Sequence, residues 1–215
     1  MKKFVLPVIL ALIVASCGKQ TTEPGGGGSV SISNPLPLSV GNQWMYINFE
    51  RGSKPDTTRD TTRIVGTQVV NGHDAYVAVS TDEGDIDTSY VYRDGDYIYI
   101  YDENGMQGST LMKFLKVPLN TGDSWVVYTE SDTLYTLTIT ARILGSSSIT
   151  VPAGSFESSA EMEMRSITTY SWNNATYAET TYTYYYIVDN IGIAKVRDIY
   201  QGIEDISELE DYDLR

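Results

Sequence analysis

Apolar and polar residues alternate with a period of two in many segments of this chain after residue 35. The segment 160–165 is typical, because Ala160, Met162 and Met164 share one face while the residues between them are charged. One dry face and one wet face indicate antiparallel strands with solvent on one side. Roughly ten such segments, separated by short turn signals, leave little room for helices. We therefore predict an all-β fold with few or no helices, either one strongly curved antiparallel sheet or a barrel-like meander.

Turn-forming residues mark where the predicted strands end. Asp94-Gly95 lies between the alternating segments 89–93 and 96–101, and it supplies the positive φ angles of a two-residue hairpin turn. Asn71-Gly72 resembles a second hairpin tip. The acidic end of the chain, 204–213, leaves three interpretations open: a short helix, a docked edge or a frayed acidic tail.

An excess of tyrosine is the feature that most suggests a binding surface, since the chain contains 17 of them. If Ile98 and Ile100 face the core, the tyrosines that alternate with them face solvent and would stack on sugars or contact a partner protein. The alternative is that tyrosines pair across strands and stabilise the sheet without a ligand. The candidate ligand-binding residues form two rows: Tyr97, Tyr99 and Tyr101, then Tyr182, Tyr184 and Tyr186.

The beginning of the chain has the order of a secretory signal. Two lysines precede an apolar run, Phe4–Val14, which is too short to cross a ~30 Å hydrocarbon core as a helix. Small residues then lead into Cys17, the only cysteine. This order resembles the lipobox of bacterial lipoproteins, which implies that residues 1–16 are removed and that the Cys17 thiol carries a diacylglycerol. Acyl chains such as palmitate would then hold the protein on the membrane without any disulfide in the fold.

Composition divides the rest of the chain and limits its partners. We predict a lipidated, Gly-rich tether at 17–33, which includes Gly25–Gly28, and a single β domain at 34–215. The net charge of −13 disfavours binding to nucleic acid. Gly18 stands where an Asp resembles an inner-membrane retention signal, so the cell envelope and its outer membrane are the expected location.

The sequence offers no recognisable catalytic or metal site. His73 is the only histidine, no Gly-x-Ser-x-Gly motif occurs, and a zinc site or a catalytic triad would lack members. The acidic clusters 82–87 and 94–96 have the residue types for calcium or for a glycosidase, but not the order of an EF-hand loop. We therefore predict no catalytic residue, no metal ligand and no cofactor.

A short motif, Pro-Leu-x-x-Gly-Asn/Asp-x-Trp, occurs at Pro37–Trp44 and again at Pro118–Trp125. Each copy would be a turn that delivers a Trp into the core or, alternatively, a Trp-bearing ligand loop. Together with Val151–Phe156 and the segment 186–195, these copies resemble motifs of uncharacterised bacterial envelope lipoproteins. More distantly, a tethered curved sheet is similar in architecture to the half-barrels of lipoprotein carriers, which implies a concave apolar face for acyl chains.

These observations lead to one functional hypothesis and two alternatives. We expect a non-enzymatic, lipid-anchored envelope protein whose β domain binds a partner protein, a glycan or an acyl chain. An enzyme is the first alternative, as a carboxylate-based hydrolase of envelope polysaccharide with two carboxyl groups about 5–10 Å apart. The second is a structural spacer without a ligand.

Overall fold

The computed structural model describes residues 28–52, 57–105, 108–172 and 175–215. The predicted signal segment, Cys17 and most of the predicted tether lie outside these residues. No helix occurs in the described part of the chain, and therefore none that is long and apolar enough to cross a membrane. The strands are β1 (Ser31–Ile32), β2 (Gln43–Glu50), β3 (Thr58–Val70), β4 (His73–Asp82), β5 (Asp85–Asp94), β6 (Tyr97–Gly105), β7 (Gly108–Lys116), β8 (Leu119–Asn120), β9 (Ser124–Ser131), β10 (Tyr135–Val151), β11 (Gly154–Trp172), β12 (Ala175–Val188), β13 (Gly192–Tyr200) and β14 (Ile203–Asp213).

Twelve of these strands form one antiparallel sheet that nearly closes into a barrel, so the all-β prediction is confirmed. The strands β2 to β7 follow one another as a six-stranded meander, and β9 to β14 form a second one. The meanders join through the β2–β14 ladder. At the opposite seam, the β7 and β9 edges face each other, and the Trp125 indole N–H donates to the Lys113 carbonyl at 3.0 Å.

The acidic C-terminal segment is a strand and not a tail or a helix. β14 pairs with β13 on one side and with β2 on the other. Leu209 is fully buried, opposite Tyr46. The interpretation as a frayed acidic tail is therefore wrong, because the segment supplies the ladder that joins the two halves of the sheet.

The repeated Pro-Leu motif begins each meander and has a structural role. Gly41 and Gly122 both have positive φ, of 98° and 87°. Their N–H groups donate to Ile64 O at 2.8 Å and to Ile143 O at 2.9 Å, which are matching positions in β3 and β10. The two tryptophans that follow are buried, at 3% exposure for Trp44 and 8% for Trp125. The motif therefore turns the chain and delivers a Trp to the core, as the first interpretation has it.

One end of the barrel carries the β3–β4, β5–β6, β10–β11 and β12–β13 turns, and we call it the lower end. The interior near this end contains an apolar layer. Side chains from the two meanders meet there, and Phe114 packs edge-on against Tyr185 with ring centroids 5.7 Å apart. Met162, Ile187 and Leu209 are fully buried in the same core. The similarity to carrier half-barrels does not extend to this layer, because side chains from opposite strands fill the interior there.

The segment before β2 is part of the folded domain. Val30 and Ile32 are buried in the core, and β1 pairs with β8. Farther along, the backbone N–H of Asn34 donates to the Asp189 carboxylate at 2.8 Å. The predicted tether boundary at residue 33 is therefore too late, because packing already begins by residue 30.

Two predicted turns are present in the structure. Asn71 and Gly72 both have positive φ, 52° and 83°, in the β3–β4 turn. The β5–β6 loop is one residue later than predicted, since Asp94 pairs with Tyr97 and leaves Gly95-Asp96 as the loop. Only Gly95 needs the left-handed region there, with φ of 56°.

Candidate functional site

The second tyrosine row lies on the face of the sheet that points away from the barrel interior. Tyr185 faces inward and is 2% exposed, so Tyr182, Tyr184 and Tyr186 point outward by the alternation of side chains along β12. Outward does not mean exposed here, because Tyr186 is only 8% accessible and the other two are half-buried. Neighbouring side chains therefore cover much of this row, and Tyr186 most of all.

The strand register surrounds these tyrosines with charged residues from β11 and β13. Tyr186 pairs with Glu161 on one side and Lys195 on the other, and Tyr184 lies between Glu163 and Arg197. Burial, followed by the negative charge and hydrogen bond of Glu163, raises the pKa of Tyr184 to about 12. The tyrosine therefore remains a neutral hydroxyl at physiological pH.

The wall of the site comes from the long β10–β11 hairpin. Pairing of β10 with β11 is irregular between Ile143 and Gly145 and again between Ser147 and Ile149, and such bulges bend a strand. At the tip, the Ala153 N–H donates to the Leu209 carbonyl of β14 at 3.0 Å. The hairpin thereby reaches past the ends of β12 and β13, and its residues 147–150 border a cleft.

This outer cleft has a volume of about 450 Å³. It combines basic, acidic and hydroxyl-bearing side chains with two isoleucines. The lining residues are Arg51, Ser147, Ser148, Ile149, Thr150, Glu161, Tyr186, Lys195, Arg197, Glu204 and Ile206.

A network of ion pairs holds the cleft residues in place. Glu204 accepts from Arg197 Nε at 2.5 Å and from Arg51 Nη1 at 2.6 Å. Arg197 also donates to the Tyr186 hydroxyl at 3.2 Å. Burial opposes ionisation of Glu204, but the hydrogen bonds from Arg51 and Arg197 outweigh it and lower the pKa of this carboxyl. Glu204 is thus a fixed carboxylate, committed to two arginines.

The charges in the cleft balance one another. Lys195 lies against Glu208 at 2.8 Å, so each cation in the cleft has a carboxylate partner or neighbour. Ser148 and Thr150 are exposed at the wall and add hydroxyl groups. The arrangement offers both donors and acceptors without a strong net charge.

The two carboxylates that line the cleft are not placed as the close pair of a glycosidase. Glu161 is on β11 and Glu204 is on β14, three inter-strand spacings away, which is about 14 Å between backbones. The hydrolase alternative expects carboxyls about 5–10 Å apart. Among the described residues, no group of three His, Cys, Asp or Glu side chains is arranged to hold a metal ion.

The first tyrosine row packs within the sheet surface instead of facing open solvent. Ile98 and Ile100 are buried in the core, as expected, and Tyr97, Tyr99 and Tyr101 are half-buried on the other face. There, Tyr92 stacks on Tyr99 with centroids 5.3 Å apart and on His73 at 4.3 Å. Tyr92 itself is 4% exposed. This geometry matches the alternative of cross-strand aromatic pairing that stabilises the sheet.

Sequence reasoning missed most of the cleft because its residues come from distant segments. Arg51, Ser148 and Glu204 belong to three different hairpins. The sequence did carry a partial signal. The period of two places Lys195 and Arg197 on one face of their strand, and the preceding strand carries the tyrosine row beside them on the same face.

The fold and the cleft define a class of protein: a twelve-stranded, nearly closed β-barrel built from two meanders, with a polar cleft on its outer face. A candidate lipoprotein from Parabacteroides distasonis has a similar structure, with a TM-score of 0.53 and 13% identity over 85% of this chain and 99% of that one. A candidate exported protein from Bacteroides fragilis, with a YmcC-like fold, is also similar. Its TM-score is 0.55 and its sequence identity is 15%, over 83% of this chain and 98% of that one. No protein-family model and no curated protein matches the chain. These likenesses show that the chain has this YmcC-like fold.

Proposed function

We propose that this protein is a non-enzymatic, lipid-anchored lipoprotein of the bacterial cell envelope whose β domain binds a saccharide in the outer cleft. The lipobox-like segment ending at Cys17 supports the anchor, and Gly18 favours the outer membrane. The two structural neighbours, a candidate lipoprotein and a candidate exported protein, support an envelope location.

The balanced polarity of the cleft carries the saccharide part of the proposal. A sugar hydroxyl both donates and accepts hydrogen bonds, and the cleft presents cations, carboxylates and hydroxyls side by side. Binding sites fix their ligands with a few such polar groups in a concave surface, and 450 Å³ is within the range of small-ligand sites. An acyl chain would instead require an apolar lining.

A matched pair of serine substitutions tests this proposal on the full-length protein in detergent micelles. Ser148→Tyr places a bulky side chain at the exposed wall of the cleft, and Ser124→Tyr makes the same change at an exposed position on β9 outside it. Saturation-transfer NMR is recorded with neutral hexose and N-acetylhexosamine oligosaccharides. We expect binding to the parent and to Ser124→Tyr, and at least a tenfold weaker signal with Ser148→Tyr.

Three outcomes would contradict the proposal. If no oligosaccharide binds the parent protein, the cleft is not a saccharide site, and the result favours the alternative of a structural spacer without a ligand. If both tyrosine variants bind as the parent does, the sugar binds elsewhere. Hydrolysis of an oligosaccharide during the NMR experiment would favour the enzyme alternative.

A further inference from the structure

Inward-pointing acidic residues gather at the upper end of the barrel, opposite the turns of the lower end. Seven neighbouring strands, from β13 through β14 and β2 to β6, each contribute at least one such residue. Their inward direction follows from alternation with core residues: Asp60 pairs with Tyr46, Asp198 is two residues from Val196, and Asp102 is two from Ile100. The residues of this acidic mouth are Glu50, Asp60, Asp82, Asp87, Asp102, Asp198 and Asp205.

The mouth leads from exposed carboxylates at its rim to buried ones. Glu50, Asp87 and Asp205 are exposed, whereas Asp60 is 3% and Asp82 8% accessible. Solvent therefore reaches the rim, and the two deepest carboxyls of this set lie side by side as a cross-strand pair on β3 and β4.

Buried oxygens without a hydrogen-bond partner are the second and independent observation. Asp60 Oδ1 accepts from Asn48 Nδ2 at 2.7 Å, but Asp60 Oδ2 has no partner, and neither has Asp82 Oδ1. Native structures rarely leave buried polar atoms unsatisfied, because a buried acceptor has given up its hydrogen bonds to water and gained none in return. Two adjacent acceptors that lack donors point to a ligand that brings hydrogens and positive charge.

The described basic residues on the neighbouring strands point to the other face of the sheet. Arg59 binds Glu210, Arg63 binds Gln43, and Arg197 binds Glu204. Those contacts lie outside the barrel, so within the described part of the chain these strands place no cation in the mouth.

We propose that the acidic mouth binds a linear organic polyamine, with one ammonium group seated between Asp60 and Asp82 and the others along the rim. An ammonium group is all donor and therefore complements acceptor-only carboxylates. Two ammonium groups joined by three methylenes lie about 5 Å apart, close to the ~4.8 Å separation of neighbouring strands. A metal ion fits less well, because no three carboxylates among the described residues converge on one point.

Calorimetric titration of the full-length protein with spermidine at low salt and pH 7.5 tests the proposal. The Asp60→Asn/Asp82→Asn variant removes two negative charges inside the mouth. The control, Asp94→Asn/Asp96→Asn, removes two at the exposed β5–β6 turn of the lower end. We expect the mouth variant to bind spermidine at least tenfold more weakly than the parent, and the control to bind within threefold of it, with unchanged circular dichroism for both.

Three outcomes would overturn the proposal. Equal weakening in both variants would mean general attraction to an acidic surface. Undetectable spermidine binding to the parent would remove the site, and binding of calcium chloride without spermidine would replace it with a metal site. Ser148→Tyr separates this proposal from the saccharide proposal, because a change on the outer face should leave spermidine binding intact.

Discussion

Substitution of Asp60 by Asn should stabilise the protein at neutral pH. Burial, only partly offset by the hydrogen bond from Asn48 and reinforced by the negative charge of Asp82, raises the pKa of Asp60 to about 6. Relative to an unfolded value near 3.9, the ionised carboxylate costs roughly 3 kcal/mol in the folded state at pH 7. Asn has nearly the same shape and no charge, although its amide hydrogens need partners. We therefore expect a net gain of about 1–2 kcal/mol in the free energy of unfolding.

The raised pKa of Asp60 also determines how the free energy of unfolding changes with pH. Because the folded pKa is raised, the folded state binds more protons than the unfolded state between about pH 4 and 6, and stability falls as the pH rises through this window. Burial also raises the pKa of Asp198 to about 6, although its hydrogen bond from Thr183 lowers it. When the pH is lowered from 7 to 5, the free energy of unfolding of the parent protein should therefore rise by about 1 kcal/mol for each of the two carboxyl groups, Asp60 and Asp198.

Urea unfolding at pH 7 and pH 5 measures both effects, with Asp74→Asn as a control at an exposed position of β4. The Asp60→Asn variant should lose about half of the gain between pH 7 and pH 5, while the control keeps all of it. A destabilised Asp60→Asn variant with an unchanged pH slope would refute the argument, because Asp60 would then be ionised and well satisfied in the folded state.

Three further changes probe the core and the repeated motif, each by thermal and urea unfolding. Phe114→Ala should destabilise by about 3–5 kcal/mol, because its ring fills the contact between the meanders; a loss below 1 kcal/mol would place that contact outside the core. Trp44→Phe should cost about 1–2 kcal/mol by removing the 2.7 Å hydrogen bond to Ile191 O, and no cost would mean that the carbonyl finds another donor. Gly122→Ala should cost about 1 kcal/mol because φ is 87°, whereas Gly66→Ala, outside that φ region and with open space, should not.

Local patterning predicted the strands but not how they close. The alternation in 160–165 and in the tyrosine rows is produced by burial on one face, which is a property of neighbouring residues. The pairing of Leu209 with Tyr46 joins positions far apart in the chain, and no periodicity specifies such a partner. The spacing of three between Ile203, Ile206 and Leu209 resembles one face of a helix, but in the strand Ile206 faces the outer cleft and Leu209 faces the core.

The candidate sites were less predictable than the strands for a related reason. The composition indicated tyrosine rows, and one of the two reaches a cleft through Tyr186. The acidic cluster 82–87 drew attention only for its residue types, whereas the structure buries one of its members, Asp82, beside Asp60. Charge in a sequence does not indicate burial, so a mouth of inward carboxylates becomes visible only when the register assigns each residue to a face.

The two meanders share a plan, so their differences locate the specialised surfaces. The matching hairpins are β3–β4 and β10–β11, and each has a register shift just after the matching residues Ile64 and Ile143. The hairpin strands of the second meander are longer: β10 and β11 have 17 and 19 residues, whereas β3 and β4 have 13 and 10. A second register shift bends the tip of the β10–β11 hairpin toward β14. The first meander instead covers its outer face with stacked aromatic side chains. The longer β10–β11 hairpin therefore borders a cleft on the outer face of the second meander, whereas stacked aromatic side chains cover the outer face of the first.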